Sequence, residues 1–132
     1  MKVLIADDQA EVRSALKVLF EHISGGYDID EANEVEAMLH KTEYNQPDMI
    51  LMDWELSNRP MAAFVPILRR LARGMAIIAL SGRPEASKEA SEAGVDAFVS
   101  KGEGPGRLLD VINRARIEAD KKAAEEKQPA GD

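Results

Sequence analysis

Five side chains suited to chemistry stand at the ends of short apolar runs. VLIADD ends in Asp7 and Asp8, MILMD in Asp53, IIALS in Ser81 and AFVSK in Lys101. Three carboxylates brought into one small volume repel one another unless something positive joins them. A hard dication with oxygen ligands meets that need, and Mg²⁺ usually takes one or two carboxylates together with waters and phosphate oxygens. A lysine and a hydroxyl at the same rim would hold an anion. A phosphoryl group satisfies all five residues, with Asp53 as the nucleophile attacking phosphorus in line with the leaving group. The cation and Lys101 would then offset charge on the equatorial oxygens. Each residue alone has a plainer reading. The Asp pair could cap a helix, Asp53 could cap a loop, Ser81 could belong to a Ser-Gly-Arg-Pro turn, and Lys101 could be a solvated surface lysine. What favours the chemical reading is their joint placement, each acidic site, hydroxyl and amine at the end of a different run.

The elements that must position them follow from hydrophobic period. Lys2–Ala6, Met49–Met52, Met75–Leu80 and Ala97–Val99 are short apolar runs, the mark of strands buried on both faces, and Tyr27–Glu31 is a weaker fifth. Between them lie helical stripes. Val12, Ala15, Leu16, Leu19, Phe20 and Ile23 share one face, with Asp8 and Glu11 spaced as a capping box and Gly25-Gly26 as the stop. Asn33 is expected to cap a second helix, with Glu36 three residues on and Val35, Met38 and Leu39 inward. Pro60 and Pro66 delay the third helix to about Ala62–Val65, with Phe64, Ile67, Leu68 and Leu71 as its stripe. The fourth, Glu85–Ala93, has only Ala86, Ala90 and Ala93 to bury, and Gly94 ends it. Leu108, Leu109, Ile112 and Ala115 mark the fifth. Strand and helix alternate five times, which predicts an α/β fold with a parallel sheet, helices on both faces and a site outside the carboxyl ends of the strands.

Composition bounds the rest. The chain has 132 residues, 45% hydrophobic and 31% charged, and a net charge of −7. That is enough chain for one domain with a real core, and the negative charge opposes direct nucleic-acid binding. No cysteine is present, so neither a disulfide framework nor a thiolate zinc site is available. No apolar run approaches the roughly 20 residues that span a bilayer, and no signal-peptide pattern is seen. A soluble cytoplasmic protein is the expectation. His22 and His40 are too isolated to act as phosphotransfer donors.

At this point the chain resembles a response regulator receiver domain, the phosphoacceptor half of bacterial two-component signalling. VLIADD, ILMDWEL, IIALSG and AFVSK occur in that family's order and spacing, and the likeness covers Met1 to about Arg116. The resemblance implies a doubly wound, flavodoxin-like five-stranded sheet in the order 2-1-3-4-5 with five helices. It implies that Asp53 takes a phosphoryl group from a histidine kinase or phosphotransfer protein. It implies a Mg²⁺ site in which Asp8 and Asp53 bind directly, Asp7 through water and Glu55 through its backbone carbonyl. Ser81 and Lys101 would hold the phosphoryl group, and Ser81 and Phe98 would form the switch. Their movement would shift the face made by the fourth helix, fifth strand and fifth helix, so as to control a partner or output domain. Such a domain catalyses only its own phosphorylation and dephosphorylation, so it is not an enzyme in the ordinary sense. Glu55 and Arg83 lie where the family tunes phosphoryl lifetime, and they are expected to pair across the mouth of the site.

The sequence also departs from the family. Gly102, not proline, follows Lys101, which removes the residue that forms a cis bond there in many receivers. The turn after the third strand, Leu56–Pro60, lacks the usual Leu-Pro-Gly, and Asn58 is its candidate turn residue. KGEGPGRLLDVI is similar to receivers that precede a C-terminal helix-turn-helix. Residues 1–117 are expected to form the receiver and 118–132 a charged helical extension and tail. A stand-alone receiver, a fragment missing its output domain, and a homodimer all remain open.

Three rivals share part of the pattern. A haloacid-dehalogenase-like phosphohydrolase has acids spaced as Asp53 and Glu55 are, but usually after its first strand and in a larger chain. A pseudo-receiver would keep the fold as an interaction module without phosphorylation, against which stands the complete set of five residues. A flavodoxin-like electron carrier would need a Ser/Thr-rich phosphate loop after the first strand, and only 5% of residues are aromatic.

Overall fold

The apolar runs form a five-stranded parallel sheet in the computed structural model, which describes residues 1–126. Strands β1 (Lys2–Ala6), β2 (Asp28–Ala32), β3 (Met49–Asp53), β4 (Ala76–Ser81) and β5 (Ala97–Ser100) alternate with helices α1 (Ala10–Glu21), α2 (Val35–Asn45), α3 (Val65–Leu71), α4 (Ser87–Ala93) and α5 (Pro105–Glu126). The sheet order is β2-β1-β3-β4-β5. In register, Ala6 lies beside Met52, Asp53 beside Leu80 and Ser81 beside Ser100, so the chemical residues reach one rim together. The expected fold class, strand order and five helices are all present.

Because side chains alternate along a strand, the sheet separates two cores. Ile50 and Met52 of β3 point to the side covered by α2, α3 and α4, whereas Met49 and Leu51 point to the side covered by α1 and α5. The first core is rich in alanine and methionine: Ala6, Ala79, Ala86, Ala90, Met38 and Met61 all belong to it. The second is dominated by larger branched side chains such as Val3, Ile5, Ile78, Val99 and Ile112.

Proline placement explains the late third helix. Met61–Phe64 is a 3-10 turn, and α3 starts at Val65 with Pro66 in its first turn, where no amide bond is lost. Val65 joins Leu68 as its buried side chains, Met61 in the turn before and Ala72 just after are buried with them, and Phe64, Ile67 and Leu71 are half-buried. Val111, absent from the expected stripe of α5, is buried, and Ala15 of α1 is exposed.

Two expected caps are absent. Gln9, not Asp8, precedes α1, and no side chain caps it; Asp7 instead accepts the Gln9 N–H at 2.9 Å. Asp8 is thereby left free to face the acidic cluster. Glu34, not Asn33, precedes α2, and Glu36 pairs with Arg59 rather than reaching back. Gly94 ends α4 in the left-handed conformation at φ 99°, where its lack of a Cβ removes the strain. Gly25 has a second reason to be glycine: a Cβ there would stand 2.6 Å from the guanidinium of Arg116, which donates to the Ser24 carbonyl.

Helix α5 runs unbroken past residue 117 to Glu126, so the expected extension is helical that far; the remainder of the tail lies outside the described residues. The described peptide bonds are all trans, including Lys101–Gly102. Ser57 and Asn58 both take φ of 55°, so the turn after β3 uses two left-handed residues. No described helix is long and apolar enough to cross a membrane.

Candidate phosphoacceptor site

The end of each strand delivers one part of the site. β1 carries Asp7 into burial at 1% exposure and leaves Asp8 exposed, and β3 ends at Asp53, 4% exposed. One carboxylate oxygen from each of Asp7, Asp8 and Asp53 lies within 4.8 Å of the others. Lys101, after β5, reaches in with its ammonium 3.0 Å from Asp7 Oδ2 and 3.4 Å from Asp53 Oδ1. Its own backbone N–H is held by the Ser81 carbonyl at 2.7 Å, which fixes the root of the side chain.

Backbone bonds lock the two buried acids in place. The Asp7 N–H donates to the Ala32 carbonyl, and Asp7 Oδ1 accepts from Gln9. Asp53 Oδ1 accepts the Glu55 N–H at 3.0 Å, and the intervening Trp54 N–H donates to the Leu80 carbonyl at 2.7 Å. Both oxygens of Asp7 therefore have protein partners. Asp53 Oδ2 has no hydrogen bond among the described residues, and it is the oxygen left free to react or to bind.

Electrostatics match this packing. Burial pushes the Asp53 carboxyl above the ordinary aspartate range, with the Asp7 charge adding to the rise; the Glu55 N–H and Lys101 oppose it but do not cancel it. For Lys101, burial works against the charged form, yet its hydrogen bond to Asp7 and the charges of Asp53 and Asp7 prevail and hold its pKa above the usual lysine value. One ammonium faces three carboxylates, leaving the cluster short of positive charge. The donor set is all oxygen, with Asp8 exposed on the open side. A hard divalent cation fits that set; Asp8, which has no side-chain partner among the described residues, and the Asp53 carboxylate would hold it.

Ser81 is buried beside this cluster, but its hydroxyl does not turn toward Asp53. It donates to the Glu55 carboxylate, at 2.9 and 3.0 Å from its two oxygens, and accepts the Arg83 N–H at 3.0 Å. The Arg83 guanidinium lies 3.4 Å from Glu55 Oε2, so the two lifetime candidates are neighbours across the mouth. Phe98 is half-buried and packs on the core that contains Ala86 and Ala90 of α4. Asp7, Asp8, Asp53 and Lys101 form one cluster, Ser81, Glu55 and Arg83 a second beside it, and Phe98 sits on the flank. Sequence reading missed the Glu55–Ser81 contact, although Glu55 stands two residues after Asp53 and Arg83, its expected partner, two after Ser81. It also missed the bond from the Trp54 indole to Glu89 on α4, at 2.9 Å; the alanine-only stripe of α4 was the one signal that something else must hold that helix.

Comparison with known proteins identifies the family and the fold. The sequence profile of the response regulator receiver domain matches residues 3–113. The phosphate regulon transcriptional regulatory protein PhoB of Klebsiella pneumoniae is 26% identical over 122 residues, covering 89% of this chain and 50% of that protein. The transcriptional regulatory protein LytR of Staphylococcus aureus is 28% identical over 116 residues, covering 88% and 47%. The chain thus spans about half the length of the curated relatives it matches. Among solved structures, a CheY-like response regulator receiver domain protein from Methanospirillum hungatei superposes with a TM-score of 0.79 at 27% identity, covering 92% of this chain and 97% of that one.

Proposed function

The chain belongs to the response regulator receiver domain family of two-component systems, and from that premise we propose that Asp53 is its phosphoacceptor. Asp53 Oδ2 attacks the phosphorus of a phosphohistidine on a histidine kinase or phosphotransfer protein. The new P–O bond forms as the P–N bond breaks, and its electron pair leaves on the imidazole nitrogen. Lys101 offsets charge on a phosphoryl oxygen, and Asp7 keeps Lys101 in place. Asp8, Asp53, the Glu55 carbonyl and, through water, Asp7 would hold Mg²⁺, which would supply positive charge toward the phosphoryl oxygens. The observation that carries this reading is the buried Asp53, one oxygen clamped by the Glu55 N–H and Lys101 and the other unpaired among the described residues.

Ser81 then has two acceptors to choose between. At rest it bonds Glu55; after transfer a dianion sits on Asp53 and competes for the hydroxyl. Moving Ser81 pulls the loop toward Asp53 and opens space on the Phe98 side, shifting the α4–β5–α5 face. Residues 1–117 act as the receiver and the helical extension carries the change onward to a partner or an output domain in the cytoplasm. Relatives about twice as long that are transcriptional regulatory proteins support an output in transcriptional regulation.

Incubation with Mg²⁺ and acetyl phosphate followed by intact mass tests the reading. A single phosphoryl adduct that is lost in Asp53→Ala is expected. An unmodified wild type under all conditions would instead favour a receiver fold used only for interaction.

A further inference from the structure

Helix α4 has little to hold it. Its seven residues bury Ala90 fully and Ala93 in part, with Ala86 in the turn before it. Alanine side chains bring little apolar area out of water, so packing anchors α4 weakly compared with α5, which buries Leu108, Val111 and Ile112. Among the described residues, only one side-chain hydrogen bond joins the body of α4 to another element. It runs from the Trp54 indole N–H to Glu89 Oε1, at 2.9 Å.

The two ends of that bond belong to parts of the molecule with different freedom. Trp54 follows the phosphoacceptor directly, is 2% exposed, and is tied to β4 through the Leu80 carbonyl. It is fixed to the sheet. Glu89 lies in the first turn of α4, at the end joined to Ser81 by only Gly82–Ala86. Any displacement of Ser81 toward Asp53 is carried along those five residues into the turn that holds Glu89. Trp54 is buried and Glu89 is exposed, so the bond lies at the edge of the core, and when it opens the indole N–H exchanges a carboxylate acceptor for water.

We infer that Glu89 is a positioning residue: its bond to the Trp54 indole is a latch that holds α4 in the resting place and opens when the Ser81 loop moves. The opening step rests on the phosphoacceptor reading above; the latch in the resting protein does not. Glu89 acts on phosphorylation only through the helix it holds, since it touches no residue of the Asp53 cluster.

The chain has a single tryptophan, so its indole N–H gives one resonance in a ¹⁵N-labelled sample. In the metal-free wild type that proton should be protected from solvent exchange. Glu89→Ala should speed its exchange about tenfold, the scale of a charge-assisted bond partly open to solvent, and should speed the amides of α4 with it. Glu89→Gln retains an acceptor oxygen and should restore most of the protection. Trp54→Phe keeps an aromatic ring, smaller than the indole, and removes the N–H; it should speed α4 exchange at least as much as Glu89→Ala does, and adding Glu89→Ala to it should change nothing further. With Mg²⁺ and beryllofluoride as a phosphoryl mimic, the wild-type indole should lose protection, and Glu89→Ala should take a phosphoryl group from acetyl phosphate several-fold faster. Unchanged indole and α4 exchange in Glu89→Ala, or additive effects in the double variant, would overturn the latch. Persistent indole protection in a mimic-bound protein would overturn its opening. A wild type that takes neither mimic nor phosphoryl group refutes the Asp53 reading and the opening step with it, while the alanine and glutamine variants still decide whether the latch exists.

Discussion

Replacing Lys101 by methionine tests the charge balance of the acidic cluster most directly. The ammonium lies 3.0 Å from Asp7 and 3.4 Å from Asp53, whose side chains are 2% and 6% exposed. At an effective dielectric of about 20, each contact is worth about 5 kcal/mol of attraction before desolvation is counted. The lysine is itself 29% exposed, so screening and its own lost hydration remove much of that. Methionine also keeps most of the stem's packing. What remains is the cost of two buried acids without their cation, about 2 kcal/mol, below the roughly 3–5 kcal/mol of a fully buried pair because the lysine is partly exposed. For a chain of this length that is a fall in Tm of about 8 °C. The raised pKa of Lys101 has the matching sign, because the folded state favours the charged amine. Urea unfolding in EDTA, followed by fluorescence of the single tryptophan, measures the loss. Millimolar Mg²⁺ should then stabilise Lys101→Met more than wild type, since a cation competes with the lysine for the same carboxylates. A variant within about 0.5 kcal/mol of wild type in EDTA would refute the charge argument. So would a Mg²⁺ gain no larger than that of wild type.

Three further outcomes are expected. Asp8→Ala should abolish Mg²⁺-dependent phosphorylation while far-ultraviolet circular dichroism stays native, and metal-free stability should hold or rise as repulsion in the cluster is relieved. Glu55→Ala or Arg83→Ala should change the rate at which the acyl phosphate hydrolyses, read by phosphate release; Glu55→Ala should also speed phosphorylation, because Ser81 loses its resting acceptor. Acid should remove a small stabilisation from β2: hydrogen bonding to Lys17 and then Arg13 outweighs burial and holds Glu31 below its ordinary pKa, while for Asp30 burial is outweighed by Lys41, the Glu31 N–H and Asn45. A lowered folded pKa means that this contribution is present above the ordinary carboxylate range and disappears as pH falls through the folded value. These side chains are more than a third exposed, so the loss should stay under about 1 kcal/mol in an acid titration of stability, and Lys41→Met should diminish it.

The residues that could be read from sequence are those whose role depends on strand ends. A parallel sheet brings the carboxyl end of each strand to one rim, so Asp7, Asp8, Asp53, Ser81 and Lys101 could be gathered from period alone. Caps were read less well. Asp8 and Asn33 had the right spacing, but Gln9 and Glu34 took the positions, because Asp8 faces the acidic cluster and Glu36 found Arg59 in the connection between β3 and α3. Long-range polar contacts had no sequence signal of their own. Ser81 and Glu55 are 26 residues apart, and Trp54 and Glu89 are 35 apart. Nothing in local propensity distinguishes such pairs from solvated side chains; only the sheet register brings them together.

The unequal composition of the two cores has a mechanical consequence. On the α1/α5 side, branched side chains with few rotamers interlock, and a displacement there would force eclipsed torsions or open voids. On the α4 side, alanines present smooth surface and methionines have three rotatable bonds, so the same displacement can be absorbed by torsional adjustment at small cost. The sheet therefore separates a stiff half from a compliant one. Strain introduced at the rim would run first toward the compliant half and displace α4 more than the helices on the stiff face. Hydrostatic compression should reveal the difference directly: amide and methyl shifts with pressure should be larger and more curved around Met61, Ala86 and Ala90 than around Ile5, Ile78 and Ile112.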